Sequence, residues 1–165
     1  MRDFIKCYVS GQYQNGNEKE GIVSFAVPEY GVLFRCMASG TKAELEIIAF
    51  LSFLKFAEHN LDIFKTRQLR IFTDFSLLVY IMNNGAVGMP GMEAVVSEAK
   101  KYSKKMEYTV KWISEKENRA AESVVNIPQM PVKNRVKIKT FANLNITKPK
   151  QDLAGNSDTS SGINL

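Results

Sequence analysis

"LRIFTDFSLLVYIMNN", Leu69 to Asn84, is the stretch on which the fold turns. Leu69, Ile71 and Phe72 form a short apolar run that reads, with Gln68, as a buried strand. The run stops at Thr73-Asp74, and apolar residues then recur at roughly helical spacing from Phe75 to Asn84. A strand that ends on one carboxylate and opens straight into a helix is a junction of an α/β chain. Asp74 there has two readings. It caps the helix that follows, or it stands at the sheet's rim as a ligand.

Working outward, "DFIKCYVS" (3–10) alternates as a first strand that ends at Ser10-Gly11. "GQYQNGNEKEG" is a turn-rich connector with an Asn-Gly pair. "IVSFAVP" is a second strand, "EYG" a tight turn and "VLFRCMA" a third strand, which makes an antiparallel meander. "SGTKAELEIIAFLSFLKFAEHN" is a helix, with Thr41 and Glu44 spaced as a capping box. Its apolar residues nearly encircle it, so it is packed over much of its surface. After the Leu69–Asn84 junction come a break at "GAVGMPG", a helix "MEAVVSEAKKYSKKM", a fifth strand "EYTVKWI" and a short closing helix "SEKENRAAESVV". The order β-β-β-α-β-α-α-β-α predicts an α/β fold: a five-stranded mixed sheet with helices on both faces.

The chain of 165 residues carries 22 Lys+Arg against 17 Asp+Glu. The excess is uneven: residues 1–125 hold 16 basic and 15 acidic side chains, and residues 126–165 hold 6 and 2. A nearly neutral domain over 1–127 is therefore expected to be followed by a basic, largely disordered extension over 128–165. The longest apolar region, "IIAFLSFLKFA", is shorter than the ~20 residues of a membrane span. No signal peptide is read at the N-terminus, so a soluble, cytoplasmic protein without a membrane partner is expected. Two cysteines, Cys7 and Cys36, fall on the outer strands of the meander and are not expected to pair. One histidine, His59, near a helix end, leaves no basis for a His/Cys zinc site or a protease triad. Trp112, inside the fifth strand, is expected in the core, and the Met-rich "MNNGAVGMPGM" is expected to fill space around a helix break.

Three stretches, taken in order and context, resemble the ribonuclease H family over roughly residues 3–125. "TKAELEIIAFLSFL" is similar to the family's Glu-bearing helix, with Glu44 in the acid's place. "LRIFTDFSLLVYIM" is similar to its strand-to-helix motif, with Asp74 in the acid's place. "VKWISEKENRAAESVV" resembles its closing motif and puts Glu122 where the family has Asp. The family's first acid ends strand one and is followed by glycine. Gly11 is present, but Ser10 holds the acid's position.

The resemblance implies cleavage of the RNA strand of an RNA–DNA hybrid by two Mg²⁺ or Mn²⁺ ions, which sit ~3.5–4 Å apart in such sites. Those ions want hard oxygen ligands. Glu44, Asp74 and Glu122 are the implied ligands and catalytic acids. A neutral Ser10 hydroxyl is a poor replacement for a carboxylate that bridges both metals. Glu46 stands about 200° round the helix from Glu44 and is expected to point elsewhere; Glu20 lies in a connector of unreadable direction. Lys100, Lys101, Lys104 and Lys105 cluster on one helix side. The resemblance implies that basic residues in this region hold the hybrid's backbone, while a solvated helix face is the more common explanation of such a cluster. The reading is a ribonuclease H-like domain with impaired hydrolysis that binds an RNA–DNA hybrid or another nucleic-acid duplex. Its alternatives are an active, divergent, metal-dependent ribonuclease H and a non-enzymatic domain that binds a protein partner.

Overall fold

The computed structural model describes residues 3–14 and 17–121. Its strands are β1 (Phe4–Gln14), β2 (Asn17–Val27), β3 (Val32–Ser39), β4 (Gln68–Thr73) and β5 (Tyr108–Trp112). Its helices are α1 (Lys42–His59), α2 (Leu61–Phe64), α3 (Ser76–Asn84) and α4 (Met92–Ser103). They form one mixed sheet of order β3-β2-β1-β4-β5. β1, β2 and β3 pair antiparallel, and β4 pairs parallel with both β1 and β5. The strand-to-helix junction at Leu69–Asn84 is therefore central: β4 lies between β1 and β5.

Strand periodicity divides the side chains between two faces. Ile5, Cys7, Val9, Val23, Phe25, Val27, Leu69 and Ile71 point to the face covered by α1, and all are fully buried. Phe25 anchors that core: its ring lies 4.9 Å from Phe34, 5.7 Å from Phe53 and 5.1 Å from Phe56. Among the described residues, the buried apolar side chains of all four helices belong to this one core. The opposite face carries a small cluster of Tyr8, Ala26 and Ala120, with Leu33, Phe72 and Ile113 against it. Helices on both faces were expected. Among the described residues the second face meets the stretch after β5, which turns as a short 3-10 helix over Glu115–Glu117. The rest of the expected closing helix, with Glu122, and the basic extension over 128–165 lie outside the described residues.

Several boundaries move for local reasons. The expected connector 11–21 is mostly strand: Gln12 pairs with Ile22 and Tyr13 with Gly21, so the hairpin runs on almost to Asn15-Gly16. The turn over Pro28–Tyr30 is a 3-10 helix closed by Gly31 at φ 64°, a left-handed conformation that glycine adopts freely. α2 was not anticipated; Ile63 and Phe64 bury themselves in its single turn. Trp112 is 59% exposed rather than in the core, because it ends the edge strand β5. Met82, Met89 and Met92 pack against the core around the α3–α4 break, as the methionine content suggested. Cys7 is buried, Cys36 is exposed, and both are free thiols. His59 closes α1 with Nδ1 2.8 Å from the Lys55 carbonyl oxygen. No helix among the described residues is long and apolar enough to cross a membrane.

Candidate functional site

The parallel β1–β4 register builds one end of the sheet. Tyr8 is level with Phe72, and two residues further along the two strands stand Ser10 and Asp74. The third wall is α1, which comes extraordinarily close to β1. A Cβ on Gly11 would lie 2.3 Å from the Leu45 carbonyl carbon and 2.4 Å from the Glu46 nitrogen. Only a residue without a side chain lets this helix backbone lie on this strand.

The start of α1 then decides which acid faces inward. Thr41 caps the helix, accepting from the Glu44 N–H at 3.3 Å, and the Glu44 carboxylate accepts from the Thr41 N–H at 2.6 Å. This capping box is as the sequence spacing suggested. It holds Glu44 exposed at the helix end, with its carboxyl below the usual range chiefly because of the Thr41 backbone N–H. Two residues on, Glu46 is fully buried. The sequence reading took Glu46 as pointing away from the site. The two acids do diverge, but Glu46 is the one that lies at Gly11, Thr73 and Asp74.

Glu46 is held by a cation from its own helix. Lys42 Nζ donates to Glu46 Oε1 at 2.8 Å and also to the Gly11 carbonyl oxygen of β1. Thr73 Oγ1 lies 3.5 Å from Glu46 Oε2. Burial pushes the Glu46 carboxyl up to about 7; Lys42 opposes that push and the charge of Asp74 adds to it.

Asp74 does not cap α3. The N-cap position is Phe75, with no side-chain cap, and it is Thr73 Oγ1 that accepts from the Phe75 N–H at 3.1 Å. Both Asp74 carboxylate oxygens are buried without a hydrogen-bond partner, and so is the Ser10 hydroxyl. Unsatisfied buried oxygens are costly, so three of them at one rim mark a place where stability has been given up. The stretch after β5 closes over the rim's flank. Buried Asn118 donates from Nδ2 to the Val9 carbonyl oxygen at 2.9 Å and accepts the Ala120 N–H at 3.1 Å. Ser24 donates to the Ala120 carbonyl oxygen at 2.7 Å.

The sequence-derived residues thus separate. Ser10 and Asp74 meet at the rim, Glu44 serves the cap, and Glu122 lies outside the described residues. Of the lysines on and just after α4, Lys101 pairs with Glu98 and Lys105 with Glu58, while Lys100 and Lys104 are exposed. Glu46 leaves a partial signal in the sequence, which does not by itself say that its helix face meets the sheet. It lies on the helical stripe of Ala49, Phe50 and Phe53, and an acid on an otherwise apolar stripe is a signal. Among the described residues the donor set does not fit a pair of divalent ions. It offers the carboxylates of Asp74 and Glu46, the latter bound by an ammonium, and a neutral hydroxyl. Among the described residues no three His, Cys, Asp or Glu side chains converge to hold a metal.

Known structures share this architecture. The domain resembles LC11-RNase H1, solved in complex with an RNA/DNA hybrid, with a TM-score of 0.58 and 18% identity over 70% of this chain and 90% of that one. It resembles the N-terminal RNase H domain of rv2228c from Mycobacterium tuberculosis with a TM-score of 0.57 and 14% identity, over 70% and 85% of the two chains. RNase H1 from Halobacterium salinarum gives 0.56 and 13%, over 68% and 86%. No protein-family model matches the chain, and no curated protein does. The fold is ribonuclease H-like.

Proposed function

We propose that this domain binds a nucleic-acid duplex, an RNA–DNA hybrid first among them, and does not hydrolyse it by a metal pair. The observation that carries this reading is the rim itself: a buried serine where strand one would supply an acid, beside a glutamate tied to a lysine. Two divalent ions bring four positive charges into a site whose described side chains sum to one negative charge at most, and less when Glu46 is protonated. The fold supports the substrate class, since one solved neighbour holds an RNA/DNA hybrid. Lys100 and Lys104 are free of the ion pairs that engage Lys101 and Lys105, and they would meet phosphates.

The test is fluorescence anisotropy on a labelled RNA–DNA hybrid across a salt series, run beside cleavage in Mg²⁺ and in Mn²⁺. Salt-dependent binding is expected, weakened by Lys100→Glu with Lys104→Glu, with no cleavage by the natural chain. A gain of cleavage in Ser10→Asp would locate the missing acid. Strong cleavage by the natural chain, abolished in Asp74→Ala, would instead establish a divergent nuclease. The engagement of two of the four lysines in ion pairs favours a second reading, a protein-binding domain. Absence of any salt-dependent hybrid binding would select it.

A further inference from the structure

Resting on the reading that this rim carries no metal pair, we propose that Lys42 is its resident cation. The Lys42 ammonium holds the place at Glu46 that a divalent ion would need, and its removal opens a latent divalent-cation site made by Glu46, Asp74 and Ser10.

Lys42 and Glu46 stand four apart on one helix, a spacing that on an exposed helix gives a weak, solvent-screened pair. This pair differs in two ways. Its carboxylate is fully buried, whereas the lysine side chain is 43% exposed, so the charge reaches in from the surface to meet the acid. The ammonium also donates to the Gly11 carbonyl oxygen on β1, which joins helix to strand at the one glycine that permits their contact. Asp74 adds two buried oxygens with no partner, and Ser10 adds one. Four hard oxygen donor groups of three kinds therefore stand at one rim: a carbonyl, two carboxylates and a hydroxyl. That is the chemistry of a Mg²⁺ or Mn²⁺ ligand set, and a tethered ammonium already occupies two members of it. A tether keeps the ammonium at high local concentration, so a free ion must displace it rather than fill a vacancy. The tethered charge also compensates Glu46 without any ion, and the strand–helix contact forms in metal-free solution.

The experiment uses Mn²⁺ alone, with the free ion followed by electron paramagnetic resonance and the protein by its thermal midpoint. The natural chain, Lys42→Met, Lys42→Arg and the double variant Lys42→Met/Glu46→Gln are compared. Lys42→Met is expected to bind Mn²⁺ about tenfold more tightly than the natural chain, because a fixed positive charge has left the ligand set. Its midpoint should rise with added Mn²⁺. Lys42→Arg should behave as the natural chain, and the double variant should lose the gain. Equal Mn²⁺ affinity in the natural chain and Lys42→Met overturns the proposal, as does a double variant that binds like Lys42→Met. If Lys42→Met is unfolded without metal, recovery of its circular dichroism in millimolar Mn²⁺ supports the proposal, and no recovery overturns it. No nucleic acid enters these measurements. Failure to bind a hybrid would break the proposed function and leave these outcomes standing, while equal Mn²⁺ affinity would break only this inference.

Discussion

Leu45 and Glu46 are consecutive residues of α1, both closed off from solvent, and they meet opposite neighbourhoods. Leu45 lies over Gly11 and Gly21, where an added Cβ would strike it, and joins the continuous apolar core. Glu46 enters a polar corner where the Lys42 ammonium and the Thr73 hydroxyl serve it and three other oxygens are left without partners. The core side behaves as a packed solid: what holds it is apolar area and shape. The corner is held together by charge compensation that is only partly complete. One turn of helix therefore carries both the part of the molecule that fixes the fold and the part that has been kept at a cost to stability.

The largest loss is expected on the apolar side. Phe53 is fully buried and packs edge-on to Phe25 and Phe64. Phe53→Ala should cost about 3–5 kcal/mol in urea unfolding, the range for truncating a buried aromatic. A loss under ~1 kcal/mol would mean that the core relaxes as readily as the corner. At the corner, the test is pH. The Glu46 carboxyl is raised from 4.5 to about 7 in the folded chain, so the folded state holds its proton over a range where the unfolded state has released it. Its contribution is then fully present below 4.5 and is lost as pH rises toward 7. The stability of the natural chain relative to Glu46→Gln should fall by roughly 3 kcal/mol across that window. A flat difference would show Glu46 ionised throughout and fully compensated by Lys42. The smallest effect belongs to the other acid of the same helix. Glu44→Ala should cost ~1 kcal/mol through the capping box, with no change in the pH profile assigned to Glu46. A profile that moves in Glu44→Ala would place Glu44 at the corner after all.

These contrasts also mark what the sequence made legible. Strand alternation, the Thr41–Glu44 cap and the β4–Asp74–α3 junction each depend on neighbours in the chain, and local reading reached them. The angle between Glu44 and Glu46 was legible in the same way. Which of them faces the sheet was not, because that depends on how α1 is rolled against β1, and Gly11 sets the roll through a contact 35 residues away in sequence. Trp112 was misjudged for a related reason. Strand composition suggests burial, but a position at the end of an edge strand is a property of sheet order. Nothing local announced that the Ser10 hydroxyl would be buried without a partner.

The two thiols give the molecule a built-in clock. Cys36 is exposed on the outer strand β3, while Cys7 is sealed in the middle of the sheet on β1, and burial pushes its thiol well above the ordinary range. A thiol reagent added to the native chain should therefore modify one cysteine promptly and then wait. The second modification requires α1 to lift from the sheet face on which Cys7 lies, so its rate measures how often the core opens there. Because β1 also carries Ser10 and Gly11, that same rate reports how firmly the polar corner is held shut, with no probe placed in it.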